Sequence, residues 1–211
     1  MFFSKLAATL CGVTLCGVTM AALGVAAPAQ AGEWKGVDPA HDVAAKKCKP
    51  TCDYSPAPGN ASADMVSQQV VYRHEAVRIT VRLRGLDPSA SFGLTSLLAA
   101  TDHEGRYFSV ISAFSPNHPT KVSLRNPSGI PLKCGTATTA IKGNKIQTVV
   151  PARCINSPEW VRWSGYMRVI FPGDLDTDQR FSGWFDKFRT SSSTPLNKTT
   201  FEFSRRIHRA A

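Results

Sequence analysis

Asp174, Asp176 and Asp178 in "GDLDTDQRF" set three carboxylates at alternate positions, as a helix–loop–helix calcium loop begins. The rest of that pattern is missing. Gln179 stands where the loop needs Gly, Phe185 stands where it needs a bidentate Glu, and Asp186 comes one residue late. Arg180 adds a cation inside the would-be site. The segment reads as a polar loop whose aspartates cap turns or pair with arginines, and the chain is expected to hold no metal and no other cofactor.

A second pattern is cationic. Arg78, Arg82 and Arg84 recur at strand spacing, where side chains two apart stand roughly 7 Å from each other. Such a row can track the phosphates or carboxylates of a polymer, and Tyr72 and Arg73 on the preceding strand can extend it. The plainer account is a solvated face in a basic chain. Trp160, Trp163 and Trp184 can stack on sugar rings or fill a core. Trp160 and Trp163 are three apart, so on a straight strand they face opposite ways and at most one of them is exposed.

Nothing here favours catalysis. His41, His74, His103, His118 and His208 show neither H-x-H nor H-E-x-x-H spacing, and Met65 and Met167 with His74 make no haem-ligand pattern. There is no G-x-S-x-G and no phosphate-binding glycine loop. Asp102 and Glu104 sit in a hairpin signal that explains them. The chain is read as a non-enzyme.

The elements that would carry these residues are strands. "AVRITVRLRGL" alternates cleanly, with Val77, Ile79, Val81 and Leu83 on one face and Arg78, Thr80, Arg82 and Arg84 on the other. "VSQQVVYR" precedes it. "SFGLTSLLAATD" and "RYFSVISAFS" flank the turn "DHEGR", with Phe108, Val110 and Phe114 sharing a face. "TKVSLRN" turns Val122 and Leu124 inward, and Lys142-Gly143-Asn144-Lys145 centres another hairpin. "EWVRWSGYMRVIF" reads as a strand with a bulge at Ser164-Gly165, and "TTFEFSRRI" as a closing strand with Phe201 and Phe203 on one face. No segment has a long amphipathic helical period. The expectation is an all-β chain, an antiparallel β-sandwich of about eight or nine short strands stapled by disulfides.

Residues 1–31 read differently. One cation, Lys5, precedes an apolar run that ends at Ala29-Gln30-Ala31, which is the pattern of a cleaved secretory signal peptide. Cys11 and Cys16 follow Leu10 and Leu15 rather than the small residues that lipoprotein processing needs. No later stretch is long and apolar enough to span a bilayer. Residues 32–62, rich in Pro, Ala and Lys, read as an extended arm, and residues 63–207 as the sandwich domain.

Export makes two disulfides of the remaining Cys48, Cys52, Cys134 and Cys154 more natural than a zinc site. Folding the hairpin at Lys142–Lys145 brings Cys134 opposite Cys154, which leaves Cys48 for Cys52.

"ADMVSQQVVYRHEAVRITVRLRGL" and "VVPARCINSPEWVRW" resemble recurrent segments of exported actinobacterial β-sandwich proteins of unknown function. That group is distantly similar to DOMON-type and family-nine carbohydrate-binding modules. The resemblance spans about residues 63–171 and implies a secreted sandwich with no established activity. It does not extend into the tail.

A formal charge of +10 draws such a chain to polyanions. The function expected is that of a secreted, non-catalytic protein, extracellular or wall-associated, that binds an anionic cell-envelope polymer or acidic glycan; nucleic acid is the less natural polyanion outside the cell. A secreted protein–protein interaction domain is the alternative, and an exported hydrolase comes third.

Overall fold

The computed structural model describes residues 32–48, 51–100, 107–116, 118–170, 182–189 and 201–210. Two antiparallel sheets enclose one apolar core. The smaller runs in the order β1 (Glu33–Val37), β4 (Met65–Arg73), β5 (Ala76–Leu83), β11 (Lys145–Pro151) and β10 (Thr138–Lys142). The larger runs β3 (Cys52–Pro56), β2 (Ala44–Cys48), β13 (Gly183–Lys187), β12 (Trp160–Ile170), β6 (Phe92–Ala100), β7 (Tyr107–Ser115), β8 (His118–Arg125) and β9 (Pro131–Leu132). A two-residue strand, β14 (Ile207–His208), pairs with the start of β12. Among the described residues no helix is long and apolar enough to cross a membrane.

The alternation in β5 does what it promises. Val77, Ile79, Val81 and Leu83 are fully buried, and each such side chain contributes ~1.5–3 kcal/mol relative to leaving it in water. Facing them across the core are Phe108, Val110 and Phe114 of β7 and Val161, Trp163, Met167 and Val169 of β12. A trio of hydroxyls bridges the sheets: Ser112 of β7 lies 2.7 Å from Thr139 of β10 and 3.1 Å from Thr148 of β11. The hairpin at Gly143-Asn144 turns with Gly143 at φ +57°, and Asn144 donates to the Leu83 carbonyl at 2.8 Å.

Both disulfides form as expected. Cys48 pairs with Cys52 across the β2–β3 hairpin, and Cys134 pairs with Cys154 beyond the open end of the β10–β11 hairpin.

Three local expectations are corrected. The segment read as an extended arm supplies β1 to the small sheet and β2 and β3 to the large one. Its strands are short, and β1 and β3 lie at sheet edges, where apolar alternation is not required. Ser164-Gly165 makes no bulge, since β12 pairs with β6 in unbroken register from Val161 to Val169; the irregularities fall at Met65/Ser67 and Ala113/Ser115. Glycine at 165 is explained by packing, because the Trp163 indole occupies the space where its Cβ would be. The closing strand is only β14. Phe201 and Phe203 precede it and lay their rings against Tyr107 and Tyr166, on the outer face of the large sheet. This cover helps explain why β6 is buried along nearly its whole length. The turn at Asp102 and Glu104 and the carboxylates Asp174, Asp176 and Asp178 lie outside the described residues.

Candidate functional site

The outer face of the small sheet assembles the cationic row from three strands. β5 presents Arg78 and Arg82, both exposed, between half-buried Thr80 and the neighbouring strands. Register places Arg82 between Ser67 of β4 and Lys145 of β11, and Lys145 is opposite Lys142 of β10. Thr80 lies between Gln69 and Gln147, and Arg78 between Val71 and Val149. A concavity of about 550 Å³ runs along this face, lined by Gln69, Arg73, Glu75, Arg78, Thr80 and Gln147 among others. On the edge strand, Lys35 pairs with Glu33 at 2.9 Å, and this partnership holds the Glu33 carboxyl below the usual range.

Several sequence candidates are not part of that face. Arg84 turns to the end of the sandwich, where its Nε donates to Asp64 at 2.6 Å and its Nη2 to the Pro58 carbonyl at 2.7 Å. The β5 alternation ends at Leu83, so the third arginine no longer follows the pleat. Tyr72 is fully buried and donates to the Pro158 carbonyl. Trp163 is fully buried against Trp34 and Phe188, so it offers no ring to a sugar. Trp160 is half-buried with the Arg206 guanidinium over its ring at 4.6 Å. Trp184 is half-buried against the core. Arg73, exposed and lining the concavity, is the extension that holds.

A different constellation sits between the sheets. Asp38 and Asp42 come from the segment that passes from β1 to β2, Asp186 from β13, and Asp64 from the residue before β4. Oxygens of Asp38, Asp42 and Asp186 lie within 4.8 Å of one another. Asp38, Asp64 and Asp186 are essentially fully buried. Asp38 Oδ1 accepts from the Arg189 backbone N–H at 2.7 Å, and the Arg189 side chain pairs with Asp42 Oδ2. Asp64 Oδ2 accepts from the His41 backbone N–H and from Arg84. Asp186 accepts from the backbone N–H groups of Met65 and Lys187, both at 2.7 Å.

Burial is the main cause of raised carboxyl pKa values here, reinforced by the neighbouring carboxylates. Asp38 is pushed up to about 8. Asp42 is also raised, and Asp186 is driven well above the ordinary range. Sequence reasoning missed this cluster because its members are scattered over about 150 positions, with no motif linking them. In the sequence, Asp186 stands only as a carboxylate one residue late for the loop that begins at Asp174.

Comparison with protein-family models, with curated proteins and with solved structures gives no match.

Proposed function

We propose that this chain is a secreted, non-catalytic β-sandwich protein that holds an anionic cell-envelope polymer or acidic glycan on the outer face of its small sheet. The observation that carries the reading is the joint placement of Arg73, Arg78 and Arg82 with Lys145 on one solvated face, beside the Gln69 and Gln147 amides. Guanidinium groups pair with carboxylates and phosphates, and amides add hydrogen bonds to hydroxyls. None of the strand positions that make up this face is a Trp, Tyr or Phe. The recognition proposed is therefore electrostatic and does not use a sugar-stacking platform.

The test is retention on dextran sulfate and alginate beads, with neutral dextran as control. Wild type should bind the charged beads at low salt and elute steeply as salt rises, because exposed charges are screened over ~8 Å at physiological ionic strength. Arg73→Gln/Arg78→Gln/Arg82→Gln should weaken binding about tenfold with little change in Tm. Arg84→Gln should instead lower Tm and spare binding by the folded protein, since Arg84 is committed to Asp64. Equal retention of wild type and triple variant would sink the reading.

A sheet-edge protein partner is the second reading. It is favoured by β10, which among the described strands pairs on one side with β11 and which exposes Ile141.

A further inference from the structure

We propose that Asp38, Asp42 and Asp186, backed by Asp64, form a site for one divalent hard cation, Ca²⁺, that staples the two sheets together. Nothing in the polymer reading requires it.

The first support is geometry. Ca²⁺ takes oxygen ligands at about 2.3–2.6 Å, so two oxygens on opposite sides of one ion stand about 4.8 Å apart. Asp38, Asp42 and Asp186 each offer an oxygen no farther than 4.8 Å from the others, close enough for all three to reach one such ion. The donors are all carboxylate, which selects a hard cation over zinc or copper. Mg²⁺, at about 2.0–2.1 Å, needs a tighter octahedron.

The second support is independent of the clustering. Asp38 Oδ2, Asp42 Oδ1 and Asp64 Oδ1 are enclosed and have no hydrogen-bond partner. A buried carboxylate oxygen without a donor is costly, and folded chains rarely leave several of them side by side. The cations at hand do not serve them. Arg189 meets Asp42 through Oδ2 and Asp38 through its backbone N–H, leaving the other oxygen of each carboxylate open. Arg84 is spent on Asp64 Oδ2. Arg84 and Arg189 pair with Asp64 and Asp42, and a divalent ion would add positive charge where the carboxylates of the cluster otherwise repel one another.

The placement gives the ion a purpose. Asp38 and Asp42 flank the turn at which the chain leaves the small sheet for the large one. Asp186 belongs to the large sheet, yet it accepts from the Met65 N–H of the small one. An ion held here ties both sheets and the crossing segment at one point, where the apolar core gives way to polar groups.

The experiment uses the full chain after EDTA treatment and dialysis, titrated with Tb³⁺ under tryptophan excitation and then with CaCl₂, alongside melting curves in CaCl₂ and MgCl₂. One saturable equivalent of Tb³⁺ is expected, displaced by Ca²⁺, with a Tm rise of about 3 °C or more in 5 mM CaCl₂ and a smaller one in MgCl₂. Asp38→Asn keeps an acceptor for Arg189 and replaces the partnerless oxygen with a donor. It should bind Tb³⁺ at least about tenfold more weakly, yet melt no lower than wild type in EDTA. The variant Asp174→Asn/Asp176→Asn/Asp178→Asn should keep the full response, and this arm decides the question even if Asp38→Asn does not fold. No Tb³⁺ emission and no Ca²⁺ shift in wild type overturns the proposal. So does a response that survives in Asp38→Asn or disappears in the triple variant.

Discussion

Two tryptophans lie over glycines two residues further along their own strands. The Trp34 ring covers Gly36 on β1, and the Trp163 ring covers Gly165 on β12. The two indoles approach to 5.9 Å, and Phe188 packs on both, at 5.5 and 5.4 Å. A Cβ at Gly165 would stand 2.6 Å from Trp163 Cζ2 and 3.0 Å from the Thr95 carbonyl oxygen. Trp163 is enclosed and has nowhere to yield. Gly165→Ala is expected to cost about 1–3 kcal/mol in urea unfolding. Gly135→Ala, where a Cβ meets nothing within 4 Å, is the matched control and should change little. Equal stability of the two variants would show that the indole finds another rotamer. At this scale the sequence shows W-x-G twice, but only the structure says that the glycine makes room for the ring.

At the scale of elements, the β10–β11 hairpin forms one side of the small sheet. Among the described strands β10 lies at the edge, exposed over most of its length and joined to the sheet through β11. The Cys134–Cys154 bond closes a separation of 20 residues around it, for which the loop-entropy model gives about 3 kcal/mol. Cys134→Ser/Cys154→Ser should therefore lower Tm by roughly 6–12 °C in calorimetry. A loss of only a degree or two would mean that the Ser112, Thr139 and Thr148 hydroxyls hold the hairpin without the bond. Strands buried on one face, such as β5 and β7, were legible because water and core impose a period of two. β1, β2, β3 and β13 were not legible. Each has five residues; β1, β2 and β13 depend on pairing with distant segments, and β3 pairs with β2 in a short hairpin without apolar alternation.

For the whole molecule, the carboxylate cluster couples stability to pH when no metal is bound. Asp38 has its folded pKa raised to about 8 from an ordinary 3.8 by burial, with the Asp42 and Asp64 charges adding to it against the opposing effect of Arg189. Asp42 and Asp186 shift the same way, and Arg84 reaches the cluster through Asp64. Between these values the folded state holds more protons than the unfolded one, so stability falls as pH rises. The Asp38 contribution is intact below about pH 4 and is lost progressively as pH rises to about 8. In EDTA, Tm should drop on the order of 5 °C from pH 5.5 to 8.5, and Asp38→Asn should flatten that slope. A Tm that climbs over this range would show that the cluster stays ionised without penalty.

The sequence by itself determined the all-β class, the inward faces of β5 and β7, both cysteine pairings and the basic character of the surface. Those properties are local: alternation, turn chemistry and charge are written in neighbouring residues. Tertiary structure decided which of the candidate arginines share a face. It kept Arg78, Arg82 and the Arg73 extension, gave Arg84 to Asp64, and brought in Lys145 from β11. It also put Trp163 in the core and gathered Asp38, Asp42, Asp64 and Asp186 from four separate positions into one enclosed cluster. Contacts of that kind depend on which strands lie beside each other and which segment crosses between sheets. Spacing along the chain does not encode that, since the free energy that selects it is summed over the whole core.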